Sequence, residues 1–83
     1  MRILYFARFR QIIGRASDDL DLPPSVKTLH DLITHLSATD PACAAAFANP
    51  KTIRAAINQA HAQLDEPIQD ATEIAFFPPV TGG

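Results

Sequence analysis

TLHDLITHL, residues Thr28 to Leu36, decides the fold. Leu29, Leu32, Ile33 and Leu36 fall at i, i+3, i+4 and i+7, so a helix here carries one apolar stripe that must be buried against another layer. Thr28 is the expected N-cap, and Asp31 three residues later completes a capping-box variant in the first turn. The segments on either side have period two instead. The layer beneath the helix is therefore a sheet.

Upstream, RILYFARF (Arg2–Phe9) alternates, with Ile3, Tyr5, Ala7 and Phe9 on one face and Arg2, Leu4, Phe6 and Arg8 on the other. The arginines mark the second face as outward. Gly14 supplies a turn with positive φ in the connection RQIIGR, and Asp18 to Leu22 alternates again through Leu20 and Leu22, which predicts a hairpin. Pro23 and Pro24 end that strand, since neither donates a ladder hydrogen bond. Downstream, Asp40 and Pro41 read as cap and first helical residue, and the alanine-rich run predicts a short second helix over about Pro41–Ala48, stopped by Asn49 and Pro50. Ile53, Ala55 and Ile57 alternate against Arg54 and Ala56, Asn58 and Gln59 break the run, and a brief return strand passes through His61. Asp65 to Asp70 is a loop that Ile68 pins to the core. Glu73 to Phe77 alternates once more, with Ile74 and Phe76 inward and Ala75 and Phe77 outward. The order β-β-α-(α)-β-(β)-β predicts an α+β domain with one main helix, and a short second one, on a mixed sheet.

With 83 residues there is room for one core. The hydrophobic fraction of 47% and charged fraction of 19% are those of an ordinary globular chain, and no apolar run approaches the roughly 20 residues that cross a bilayer. MRILYFARFR has no small-residue cleavage site and reads as a strand, so a cytoplasmic protein with no membrane partner is expected. Cys43 is the single cysteine and has no internal disulfide partner. The net charge of −2 is spread along the chain without basic clusters, so nucleic acid is not an expected partner.

Catalytic constellations are not found. His30 and His35 are five residues apart, whereas two metal ligands on one helical face want a spacing of four, and His61 has no second ligand nearby in sequence. No metal site is expected. No glycine-rich loop follows a strand to cradle a phosphate, and Cys43, in alanine-rich surroundings, reads as a small hydrophobe.

The chemistry is expected in the tail. The domain should occupy residues 1–77 and an extended arm residues 78–83. Pro78 and Pro79 favour polyproline geometry, so the chain leaves the last strand as a semi-rigid arm. Val80, Thr81, Gly82 and Gly83 then reach about 13 Å at ~3.3 Å per residue, a length suited to insertion into a pocket on another protein. Gly82 and Gly83 have no Cβ, and so pass a constriction that excludes other residues and bring the terminal carboxylate to chemistry inside.

AFFPPVTGG (Ala75–Gly83), together with ILYFARFRQIIG (Ile3–Gly14) and AAINQ (Ala55–Gln59), resembles the MoaD family of sulfur carriers, the small subunits of molybdopterin synthase, over essentially the whole chain. The resemblance implies a β-grasp, ubiquitin-like fold. It also implies that Gly83 is adenylated by a partner enzyme using ATP, converted to a thiocarboxylate, and docked on the large synthase subunit, where it donates sulfur to cyclic pyranopterin monophosphate in molybdenum cofactor biosynthesis. On that reading the chain is a non-catalytic sulfur-donor subunit with no bound cofactor, working in a heterotetramer of two small and two large subunits whose catalytic residues lie on the large ones. In a β-grasp sheet the first and last strands are parallel neighbours, so Phe6 and Phe77 are expected to share a partner-facing surface beside the arm.

Two positions depart from the family pattern. Ala71 stands where many relatives have Gly, and His61 where an apolar residue is common, near the expected partner surface. His61 at an interface would make partner binding sensitive to pH near neutrality. Two alternatives share the diglycine ending: a β-grasp sulfur carrier of another pathway, thiamine thiazole or tRNA thiolation, and a ubiquitin-like modifier or plain binding module.

Overall fold

The main helix is fixed at its start by two reciprocal hydrogen bonds. The Thr28 hydroxyl accepts from the Asp31 N–H at 3.1 Å, and the Asp31 carboxylate accepts from the Thr28 N–H at 3.2 Å. This is the expected capping box, worth about 1 kcal/mol for the Thr28 half. In the computed structural model, which describes residues 1–79, the helix spans Leu29–Thr39 and buries the stripe Leu29, Leu32, Ile33 and Leu36. Asp40 ends it and caps the next, accepting from the Ala42 N–H at 2.9 Å with Pro41 in the first turn.

Five strands form one sheet beneath it: β1 (Arg2–Tyr5), β2 (Ser17–Asp19), β3 (Arg54–Ile57), β4 (Ala60–Ala62) and β5 (Glu73–Phe77), in the order β2-β1-β5-β3-β4. β1 and β5 pair in parallel at the centre, with Ile3 opposite Ile74 and Tyr5 opposite Phe76, while the other pairings are antiparallel. Both edge strands are only three residues long, which limits the unpaired backbone offered for edge-to-edge association. Ile3, Tyr5, Ala55, Ile74 and Phe76 point inward and meet Leu29, Leu32, Leu36 and Ile68 in one core. Ile68 pins its loop as expected.

Three helices accompany the sheet: α1 (Ala7–Ile13), α2 (Leu29–Thr39) and α3 (Pro41–Ala46), followed by a 3-10 turn at Pro50–Thr52. The strand expected through Phe9 stops at Tyr5 instead. Phe9 satisfies both patterns: it continues the alternation of Ile3 and Tyr5, and it pairs at i, i+4 with Ile13. Tertiary packing selects the helix, which buries both Phe9 and Ile13. Gly14 adopts the expected positive φ, at 85°, but as the left-handed cap of α1, its N–H reaching the Arg10 carbonyl at 2.9 Å. Ala7, placed inward by the strand reading, begins the helix exposed, and Arg8 lies on α1 with its guanidinium 5.8 Å from the Phe9 ring centroid.

Smaller shifts follow from the same competition. β2 lies earlier than the expected Asp18–Leu22, because Leu20 and Leu22 reach the core from the loop beyond the strand. α3 ends at Ala46 rather than Ala48, where Phe47 turns inward to stack on Phe9 at 5.3 Å and meet Phe76 edge-on at 4.9 Å.

Candidate functional site

β5 alternates buried and half-buried residues, so Ile74 and Phe76 hold it in the core while Ala75 and Phe77 lie on the outer face. Pro78 and Pro79 follow without regular structure, both half-buried. The expected sites Val80, Thr81, Gly82 and Gly83 lie outside the described residues.

Three of the expected partner-facing residues gather around the end of this strand. The ladder between β1 and β5 runs past Tyr5, with the Phe6 N–H donating to the Phe76 carbonyl at 3.0 Å, so Phe6 follows the outward row that holds Leu4 and Ala75. Phe6 is 48% exposed. On the other side β3 places Arg54 opposite Phe77, and β4 places His61 opposite Ala56. The exposed His61 ring stands edge-on to Phe77 with centroids 5.4 Å apart. This contact partly covers Phe77, which is half-buried rather than fully presented.

Ile12 was not among the expected residues, yet it is 40% exposed on α1. The sequence holds half of the signal for it, Phe9 and Ile13 one helical turn apart before a glycine, but Phe9 equally continues the strand alternation. Arg54 and His61 also line a groove of ≈ 530 Å³ with Pro50, Leu64 and Glu66. Glu66 spends its carboxylate on the Gln63 N–H at 3.0 Å.

The ionisable groups with altered titration lie elsewhere and bind the fold together. Arg15 donates through Nε to Asp18 at 2.8 Å and through Nη2 to Asp40 at 2.8 Å, and the Tyr5 hydroxyl donates to Asp18 at 2.9 Å. The Arg15 hydrogen bonds hold both carboxyls below the usual carboxylate range, against a smaller opposing effect of burial. Burial, then the Asp18 hydrogen bond, pushes the Tyr5 phenol up. Burial likewise pushes the Cys43 thiol up, as does the nearby Asp40 charge, so this fully enclosed sulfur is a poor nucleophile. Among the described residues no group of three or more His, Cys, Asp or Glu side chains is placed to hold a metal ion. No helix among them is long and apolar enough to cross a membrane.

A mixed sheet in the order β2-β1-β5-β3-β4, with parallel central strands and one main helix, defines a β-grasp, ubiquitin-like domain. The solved structure of SAMP1 from Haloferax volcanii superposes with a TM-score of 0.74 at 26% identity, covering 99% of this chain and 97% of that one. The ThiS family model matches residues 3–83, and the chain belongs to that family. It is 36% identical over 83 residues to the molybdopterin synthase sulfur carrier subunit of Escherichia coli (strain K12), covering 100% of this chain and 99% of that protein. The subunit of the same name from Haemophilus influenzae is also 36% identical, with the same coverage of both chains.

Proposed function

We propose that the chain is the sulfur carrier subunit of a molybdopterin synthase. The observation that carries this reading is the end-to-end similarity, at 36% identity, to proteins of that name. A ubiquitin-like modifier is the second reading, favoured by the likeness to SAMP1, named elsewhere as small archaeal modifier protein 1, but at the lower identity of 26%.

The chemistry assigns Gly83 the reacting group. A carboxylate is a poor acceptor for sulfur, being anionic and without a good leaving group. A partner enzyme using ATP joins it to AMP with release of pyrophosphate, and a sulfur nucleophile then displaces AMP at the acyl carbon. The resulting thiocarboxylate is a soft anionic nucleophile: its sulfur bonds to carbon of cyclic pyranopterin monophosphate on the large subunit, and water then cleaves the acyl C–S bond, leaving sulfur on the substrate and returning Gly83 as the carboxylate. Pro78 and Pro79 aim the arm, Val80 and Thr81 extend it, and Gly82 admits it to a narrow channel. Phe6, Phe77 and His61 form the docking surface. No acid or base is required from this chain, and it holds no cofactor of its own.

Deleting Gly83 tests the reading. Thermal unfolding should be unchanged, since the core residues end at Phe76, while molybdopterin formation with the purified large subunit should vanish. Intact mass after incubation with the activating enzyme should show one oxygen replaced by sulfur. Conjugation to lysines of other proteins instead would favour the modifier.

A further inference from the structure

In sequence the charge looks evenly mixed, but the fold sorts it along the strands. All four arginines before Asp18 precede the first acidic residue, and three of them, Arg8, Arg10 and Arg15, lie beyond the end of β1, where β5 also finishes. Arg15 is consumed by Asp18 and Asp40, a cluster that keeps one net negative charge beside these cations. Arg8 and Arg10 remain on α1, whose first turn has no acidic residue.

The antiparallel partner β3 brings two more cations to the same end. Arg54, its first residue, sits opposite Phe77, and Lys51 lies in the turn just before it. Among the described residues the Arg54 guanidinium donates to the carbonyls of Lys51 and Ile53, at 3.3 and 3.0 Å, and Glu66 lines the same groove without pairing to it. None of Arg8, Arg10, Lys51 and Arg54 forms an ion pair among the described residues.

At the opposite end of the strands the balance reverses. Arg2 is flanked in its rung by Asp19 and Glu73, and Asp21 and Asp70 lie in the adjoining loops. The ends of the five-residue β5 are separated by about 13 Å at ~3.3 Å per residue, more than a Debye length at physiological salt. The two poles therefore act separately, with the positive one at the exit of the arm.

Four unpaired cations at one end repel one another and return nothing to folding through ion pairs. They lie at the same end of the strands as the apolar Phe6 and Phe77, which is the arrangement of a protein interface with an apolar centre and a charged rim. Resting on the functional reading above, we propose that the large-subunit surface that receives the arm is apolar at its centre and rimmed by carboxylates, and that this cationic collar steers the carrier onto it arm first.

Rim charges act chiefly on the association rate. Stopped-flow association of the full chain with the large synthase subunit should slow about tenfold or more between low and high NaCl. The triple variant Arg8→Glu, Arg10→Glu, Arg54→Glu should associate at least about tenfold more slowly at low salt and lose most of the salt dependence. The corresponding triple Arg→Lys variant should keep the wild-type rate. At physiological salt Asp21→Asn, at the other pole, should change the association rate less than about twofold. Circular dichroism and thermal unfolding establish that each variant is folded. A wild-type complex whose association rate ignores salt, or a triple variant that associates as fast as wild type, overturns the proposal and leaves the carrier reading intact. Absence of any wild-type complex at every salt concentration overturns both.

Discussion

The His61 ring stands edge-on to Phe77, with centroids 5.4 Å apart and planes at 88°. This contact joins the short edge strand β4 to the last residue of β5, so the outer face at the end of β5 is held by an aromatic pair. Phe77 is half-buried, and truncating it forfeits about half of the transfer free energy of a buried aromatic, on the order of 1 kcal/mol. Phe77→Ala should therefore fold with only a small drop in Tm, yet bind the large subunit about ten- to a hundredfold more weakly, as loss of a central aromatic anchor does. Calorimetric Kd measured beside thermal unfolding checks this. An unchanged Kd removes Phe77 from the docking surface.

The preceding residue should behave in the opposite way. Phe76 is fully buried, stacked on Tyr5 at 6.5 Å and met edge-on by Phe47 at 4.9 Å. Phe76→Ala removes a ring from the junction of β1, β5 and α3 and should cost about 3–5 kcal/mol, a large share of the 5–15 kcal/mol that typically separates folded from unfolded. Urea unfolding should show the midpoint collapse. A loss below about 1 kcal/mol would mean the core closes over the gap, contrary to the packing described.

Much of this arrangement was legible in the sequence, because single patterns pointed one way. The stripe Leu29, Leu32, Ile33, Leu36 has no reading as a strand, and Ile74 with Phe76 has none as a helix. α1 was not legible because Phe9 fits both periods. Only packing against Phe47 resolves the tie, and that contact joins residues far apart in sequence. The same distance hides the site. Phe77 could be placed outward from β5 alone, but its contact with His61 depends on the pairing of two further strands, and the collar of cations depends on which strand ends the fold brings together.

The turn that sets the β3–β4 register is strained. Asn58 and Gln59 connect Ile57 to its partner Ala60, with φ of 49° and 72°, both in the left-handed region. Two-residue hairpin turns of this shape favour Asn followed by Gly. Gln59→Gly should raise stability by about 0.5–1 kcal/mol, relief of the side-chain clash exceeding the added freedom of the unfolded chain. Asn58 is different, since its Oδ1 accepts from the Thr72 N–H, the Thr72 hydroxyl and the Glu73 N–H at 2.9, 3.0 and 3.0 Å. Asn58→Gly, although equally free in φ, should lose on the order of 2 kcal/mol with these bonds. Chemical denaturation of the two variants tests the contrast, and a stabilised Asn58→Gly would contradict it.

The Tyr5–Asp18–Arg15–Asp40 cluster shapes the pH limits of the fold, with Asp31 of the capping box, also held below its usual range by backbone hydrogen bonds, adding to the acid side. Asp18 and Asp40 titrate below their usual 3.8 because Arg15 hydrogen-bonds the charged forms. A carboxyl depressed in the folded state gives stability that is present above its unfolded value and lost as pH falls through the folded one. Stability should thus be level from about pH 5 to 7 and decline below about pH 4. Tyr5 has the opposite sign: burial and its bond to Asp18 raise it above its usual 10.0. Its contribution is complete below that value and falls as pH rises beyond it, so a second decline should begin above about pH 10. Asp18→Asn should lower stability at pH 7 and make the acid decline shallower, while Tyr5→Phe should leave the acid side steep and remove part of the alkaline decline. Urea midpoints measured from pH 2 to 11 separate the two groups. An acid limb equally steep in Asp18→Asn and wild type would show that Asp18 does not govern it.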